Sequence, residues 1–299
     1  MNLPSRPRRS MLYMPASNVR ALEKARGLPA DGLIFDLEDA VAPDSKAAAR
    51  EAAVSAVKSR AYGPREVLIR VNALDTAWSA DDLKAAAGSG AHGIVLPKVN
   101  SADDVRNAAT ALANAGAPDS LLIWSMMETP RGILAAADIA RVNETLKTPR
   151  LAGFLVGTAD LAKDLRCAHP ADRAPMLYAL QHCIMAARAF GINVLDGVHV
   201  DLDDEAGFAE VCRQGRALGF DGKTLIHPKQ IAVANAAYAP SPQDLERARR
   251  LIAAHKEASA QGKGVTVLDG KLVEVLHVVE AEHLLAQADA IAVFERQGA

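Results

Sequence analysis

The first 239 residues alternate, with little variation, between short apolar runs and longer alanine-rich stretches of helical spacing. An apolar run with no polar alternation has no face to offer water, so it reads as a parallel strand covered on both sides. The runs are Ser10–Met14, stopping at Pro15, then Gly32–Phe35, Val67–Asn72, Gly93–Lys98, Leu121–Glu128, Leu151–Gly157, Asn193–Asp196 and Gly222–His227. Between them, helices are expected from a cap at Ser17 or Asn18 to about Arg26, from Pro43 to about Arg60, and from Asp81 to Ala87. Further helices are expected from a Ser101 cap to about Ala115, over Ile133–Arg141, Ala159–Leu165, Arg173–Phe190 and Asp204–Leu218, and after Pro228. Eight strands each followed by a helix is the period of an α/β fold of the (β/α)8 TIM-barrel type, spanning residues 1–239.

Residues 240–299 are surplus to that barrel. A charged helix after Pro240-Ser-Pro242 runs to about Ala260, and Gln261–Gly264 forms a hinge. Val265–Val273 reads as a hairpin on an Asp269-Gly270 turn, and an amphipathic helix covers about His277–Phe294. This C-terminal extension is expected to act as a lid over a barrel mouth, its own or that of a neighbouring subunit.

Charge and cysteine usage narrow the function classes. With 34 basic against 36 acidic residues there is no basic footprint for nucleic acid, so the expected partner is a small molecule. Cys167, Cys183 and Cys212 are widely spaced, which suggests neither a disulfide framework nor a zinc site and fits a reducing cytoplasm. No apolar run approaches the ~20 residues of a membrane span, and the Arg-rich start lacks the apolar core of a signal peptide.

In a TIM barrel the chemistry lies at the C-terminal strand ends. There the runs deliver Asp36, Glu38, Asp39, Arg70, Asn72, Lys98, Glu128, Asp160, Asp196 and His227. A carboxylate-rich mouth without cysteine suits Mg²⁺, which takes one or two carboxylates and fills its other positions with water or substrate oxygens. Glu128 and Asp160, on adjacent strands, are the candidate ligands. Arg70 can offer a bidentate fork to a substrate carboxylate or a developing enolate. Plainer roles compete: a strand-end acid commonly caps the next helix, Glu38 and Asp39 can pair with Arg70 or Lys98, and His227 can be a satisfied strand-end histidine.

The ordered set Met11-Leu-Tyr-Met-Pro15, Phe35-Asp-Leu-Glu-Asp-Ala-Val-Ala-Pro43, Arg70-Val-Asn72, Pro97-Lys98, Glu128-Thr-Pro-Arg-Gly132, Gly157-Thr-Ala-Asp160 and His227-Pro-Lys-Gln resembles the citrate lyase β-subunit and malyl-CoA lyase family over nearly the whole chain. The resemblance implies a Mg²⁺-dependent barrel enzyme of the citrate lyase β-like branch. It makes Glu128 and Asp160 the metal ligands, Arg70 the residue that contacts the substrate and its enolate, and Lys24 a basic residue near the coenzyme A phosphates. Asn18 stands where the family has an arginine, which leaves that phosphate-binding role either weaker or reassigned, with Arg9 and Arg20 as the candidates. Asp269-Gly-Lys-Leu-Val-Glu274 resembles the family segment whose last aspartate is the acid/base residue supplied to a neighbouring subunit; here it is Glu274, one methylene longer.

The implied reaction is reversible carbon–carbon cleavage of a malyl-CoA or citramalyl-CoA type 3-hydroxyacyl-CoA to acetyl-CoA and a 2-keto acid. Hydrolysis by a (3S)-malyl-CoA thioesterase on the same scaffold is the alternative, with Glu274 activating water. A subunit that requires an acyl carrier protein is a third. A lid shared between subunits implies a closed homotrimer or homohexamer.

Overall fold

The computed structural model of the chain describes residues 6–298. The apolar runs form β1 (Ser10–Pro15), β2 (Gly32–Asp36), β3 (Glu66–Arg70), β4 (Gly93–Leu96), β5 (Leu122–Met127), β6 (Arg150–Val156), β7 (Asn193–Asp196) and β8 (Gly222–Leu225). They pair in parallel and in sequence order, and β8 returns to β1 through Ser10–Lys223, Met11–Thr224 and Leu12–Leu225. These eight strands therefore form a closed (β/α)8 TIM barrel, in which each strand is paired on both sides. Leu33, Ile34 and Phe35 of β2 and Ile94, Val95 and Leu96 of β4 have no solvent-accessible surface. Burial on both sheet faces explains why these runs lack alternation, and each large side chain contributes ~1.5–3 kcal/mol of hydrophobic stabilisation.

Helix starts follow side-chain chemistry. Asn18 caps Val19–Lys24 by accepting from the Ala21 amide, and Ser101 and Asp104 cap Ala102–Asn114 reciprocally. The helix expected over Ile133–Arg141 is instead two short helices, Pro130–Leu134 and Ala136–Ala140, followed by a 3-10 turn. It starts earlier because Thr129 supplies the cap and Pro130 the first helical position, and it breaks where Ala135 leaves the helical region at φ −93°, ψ 6°.

One irregularity in the barrel wall bears on the mouth. β5 and β6 pair Leu122 with Arg150 and Ile123 with Leu151, and the register then slips by one residue, so that Trp124 pairs with Gly153 and Met127 with Val156. Continued past the strand ends, the shifted register sets Gly157 beside Glu128, and the Gly157 amide donates to the Met127 carbonyl at 3.1 Å. Without the bulge at Ala152 the neighbour would be Val156.

Asp196 does not face the mouth. Its carboxylate is fully buried on the helix side of β7, where a Cβ added to Gly215 would lie 2.8 Å from Oδ2. Arg173 Nη1 donates to Oδ1 at 2.6 Å and Lys223 Nζ to Oδ2 at 3.0 Å. Side-chain direction alternates along a strand, so a strand-end acid can point to either layer.

Arg8–Tyr238 forms one compact unit, and the residues from Ala239 onward belong to another. In the latter, helices Pro242–Ala260 and Val275–Gly298 pack together beside the hairpin strands Thr266–Leu268 and Lys271–Val273. The turn residues Asp269 and Gly270 take φ values of 50° and 74°, the left-handed pair such a hairpin needs. Val267, Leu272, Val275, Leu276 and Val279 are exposed. Among the described residues no helix is long and apolar enough to cross a membrane.

Removing the shared anion of the Asp196 network leaves two buried cations facing each other. Asp196→Asn is expected to lower unfolding stability by about 3–5 kcal/mol in urea denaturation. A loss below about 1 kcal/mol would show that the network carries no such load.

Candidate active site

Glu128 leaves the end of β5 with its side chain inside the barrel mouth and only 1% exposed. Buried carboxylates need compensation, and one oxygen has it: the Lys98 amide donates to Oε1 at 2.7 Å. No described residue donates to Oε2. Burial, with the Glu38 and Asp160 charges nearby, pushes the Glu128 carboxyl up to about 7. Gly157 is what makes room, since a Cβ there would lie 2.5 Å from both Cβ and Oε2 of Glu128.

The Glu128-Thr-Pro-Arg-Gly turn is laced to the loop after β4. The Thr129 hydroxyl donates to Asn100 Oδ1 at 2.7 Å and accepts from the Gly132 amide at 3.0 Å. Gly132 itself abuts the neighbouring loop, because a Cβ there would sit 2.2 Å from the Val99 carbonyl oxygen. Each residue of the motif except Arg131 thus has a local job: acid, cap, helix start and close approach.

Asp160 is the third residue of helix Thr158–Leu165 and is half-buried, and its carboxylate has no hydrogen-bond or ion-pair partner among the described residues. It is not the N-cap, a place taken by Gly157. Asp36, Arg70, Glu128 and Asp160 line one cavity of about 440 Å³, with Tyr13, Met126, Val156, Val198 and Ile226 supplying apolar wall.

Arg70, at the end of β3, is 9% exposed. Its Nε and Nη2 both donate to Asp36 at 2.7 Å, its Nη1 lies 2.9 Å from Glu38 Oε2, and the guanidinium stacks over the Tyr13 ring at 4.9 Å. The fork expected to grip substrate is therefore engaged by Asp36. What Arg70 offers the cavity is a fixed positive charge.

Glu38 pairs with Arg70 and with Lys98 Nζ at 3.1 Å, as charge contacts without well-directed hydrogen bonds. Burial raises its carboxyl, and Arg70 opposes that. The acidic loop is held from behind: Lys46 Nζ donates to the Leu37 and Glu38 carbonyls at 2.7 Å each.

Other expected mouth residues lie elsewhere. Asn72 is buried and bonds the Leu37 carbonyl and Asp82. His227 is exposed, and its Nδ1 accepts from the Lys229 amide as a cap. Arg9 is buried before β1, at the opposite end of the barrel, with its guanidinium on Asp31 at 2.8–2.9 Å, so it has no charge to offer at the mouth. Lys24 and Arg20 are exposed on the first helix, outside the cavity lining. Glu274 lies in the C-terminal unit, half-buried, with its amide donating to His277 Nδ1 at 3.0 Å. Asn100, Gly157 and the Asp36 clamp on Arg70 carry no signal in periodicity and emerge from the structure.

Among the described residues no group of three or more His, Cys, Asp or Glu side chains is placed to hold a metal. Glu128 and Asp160 line the same cavity as an open pair of carboxylates. The residues fit Mg²⁺: the free Oε2, the unpartnered Asp160 and the excess of Asp36, Glu38, Asp39, Glu128 and Asp160 over Arg70 and Lys98 all call for a hard cation.

Residues 9–228 match the family model described as HpcH/HpaI aldolase/citrate lyase. The chain is 49% identical over 288 residues to a (3S)-malyl-CoA thioesterase of Cereibacter sphaeroides, covering 96% of this chain and 97% of that one. It is 36% identical over 290 residues to citrate lyase subunit beta of Escherichia coli, covering 95% and 94%. A crystal structure of CitE from Mycobacterium tuberculosis in complex with magnesium, acetoacetate and coenzyme A superimposes with a TM-score of 0.74 at 33% identity, covering 94% of this chain and 97% of that one.

Filling the space beside Glu128 tests the geometry directly. Gly157→Ala is expected to destabilise by ~1–3 kcal/mol through overpacking, and to displace Glu128 enough to cut turnover at least tenfold. Urea denaturation and steady-state assays across a Mg²⁺ series measure both; unchanged turnover would show that the close approach is not needed.

Proposed function

The chain belongs to the HpcH/HpaI aldolase/citrate lyase family, and on that premise we propose that it is a Mg²⁺-dependent enzyme that hydrolyses a malyl-CoA type thioester. The observation that carries this reading is the single cavity that gathers two unpaired carboxylates, Glu128 and Asp160, beside the fixed cation Arg70. The choice of hydrolysis rests on the 49% likeness to a (3S)-malyl-CoA thioesterase along almost the full length of both chains.

Glu128 and Asp160 hold the metal. When bound, Mg²⁺ supplies Lewis-acid polarisation and a template for the substrate's carboxylate and hydroxyl oxygens. Arg70 cannot swing away, because Asp36 grips two of its nitrogens. Its charge is therefore already in place for the oxyanion that forms as water attacks the thioester carbonyl carbon. Met126, Val156, Val198 and Ile226 keep bulk water from the acyl group.

Glu274, reaching the mouth of a neighbouring subunit, takes the proton of the attacking water and returns it to the departing sulfur as the C–S bond breaks, which releases coenzyme A and the free acid. Lys24, with Arg20 beside it on the first helix, is assigned to the coenzyme A phosphates. A closed homotrimer or homohexamer accounts for a lid supplied from next door, and the exposed apolar residues of the hairpin and last helix suit such a contact.

Carbon–carbon cleavage is the second reading, favoured by the likeness to citrate lyase subunit beta and by the position of Arg70. The same guanidinium charge suits a thioester enolate, which Glu274 would protonate to give acetyl-CoA and a 2-keto acid.

Incubation of the purified chain with (3S)-malyl-CoA and Mg²⁺, with products identified by mass, separates the readings. Malate and free coenzyme A support hydrolysis, and glyoxylate with acetyl-CoA replaces it with cleavage. No turnover of any coenzyme A thioester refutes both and points to a carrier-protein substrate. Glu128→Gln is expected to lower Mg²⁺-dependent turnover at least 100-fold with the fold intact by circular dichroism, and near-normal activity would sink the metal assignment.

A further inference from the structure

Lys98, whose amide holds Glu128 Oε1, has a left-handed backbone at φ 52°. A residue with a long side chain keeps that conformation only where its surroundings impose it, and lysine has no short polar group to stabilise it locally. The surroundings are specific. Asn100 Nδ2 donates to the Lys98 carbonyl oxygen at 2.9 Å, while Asn100 Oδ1 accepts from the Thr129 hydroxyl at 2.7 Å.

Thr129 is the next residue after Glu128, so one amide side chain ties together the two backbone segments that set the carboxylate. Asn100 is itself anchored, since its amide donates to Asp104 Oδ2 at 2.8 Å at the start of helix Ala102–Asn114. The side-chain cap of that helix is Ser101, which leaves both polar atoms of the Asn100 side chain directed at the Glu128 loops.

We propose that Asn100 is a positioning residue for Glu128: it holds Lys98 in the left-handed conformation that aims its amide at Oε1, and so keeps Oε2 turned to the cavity for a divalent cation. This rests on the reading of Glu128 as a Mg²⁺ ligand. Partners that orient a ligating carboxylate typically govern metal affinity by 10–100-fold.

The test compares Asn100→Ala, Asn100→Asp and Glu128→Gln with the unsubstituted protein. Asn100→Asp keeps an acceptor for Thr129 and loses the donor to Lys98. The readout is the thermal unfolding midpoint along a MgCl₂ titration at matched ionic strength, which gives an apparent Mg²⁺ Kd without an assay of turnover. Both Asn100 variants are expected to weaken Mg²⁺ about 10–100-fold while keeping the midpoint in EDTA close to that of the unsubstituted protein.

A Lys98→Gly background adds a rescue. Glycine takes the left-handed conformation unaided, so Asn100→Ala there should weaken Mg²⁺ by less than about threefold. Unaltered Mg²⁺ affinity in the Asn100 variants, with or without a fall in the EDTA midpoint, overturns the proposal while Glu128→Gln loses binding. Mg²⁺ affinity retained by Glu128→Gln brings down the metal reading and this proposal with it.

Discussion

A carboxylate removed from water must be given donors, a countercharge or its proton back, and at Glu128 only one oxygen is provided for by the protein. The rest of the mouth follows from that shortfall. The closed barrel keeps water from reaching in sideways, the β4 and β5 loops are laced together to hold the Lys98 amide in place, and a glycine stands where any side chain would collide. Opposite, Arg70 is compensated by Asp36 and Glu38 and remains cationic without being free to neutralise Glu128. The mouth thus separates two charges that would otherwise collapse onto each other.

The barrel could be read from residues because its signal is redundant: eight doubly buried strands give eight apolar runs, and an error in one leaves the period intact. Boundaries differed by a few residues where capping decides them, as at Thr129, and one expected helix broke at Ala135. The place of Glu128 and Asp160 at the mouth was also within reach, since each follows closely on an apolar run, although the same position suits a helix cap equally well.

What could not be read was direction. A strand-end acid is equally legible whether it points into the barrel or out, and Asp196 points out to Arg173 and Lys223. Asn72 and Arg9 were likewise placed by type and claimed by partners distant in sequence, Asp82 and Asp31. Arg70 was placed correctly at the mouth, but its fork belongs to Asp36, a pairing across strands that no spacing rule supplies. Asn100 works through backbone conformation, which has no compositional mark at a lysine.

The slip in pairing between Ile123–Leu151 and Trp124–Gly153 has a consequence for how such chains may vary. The length of β6, and not only its residues, is tied to Glu128. One residue added after the bulge would slide the strand and deliver Val156 in place of Gly157, and one lost there would deliver Thr158, whereas a conservative exchange elsewhere in the strand would leave the mouth untouched. Insertions and deletions in this strand should therefore be far rarer over evolutionary time than its unremarkable apolar composition suggests, and a one-residue gap placed there when two such chains are aligned would match the wrong neighbour to the acid.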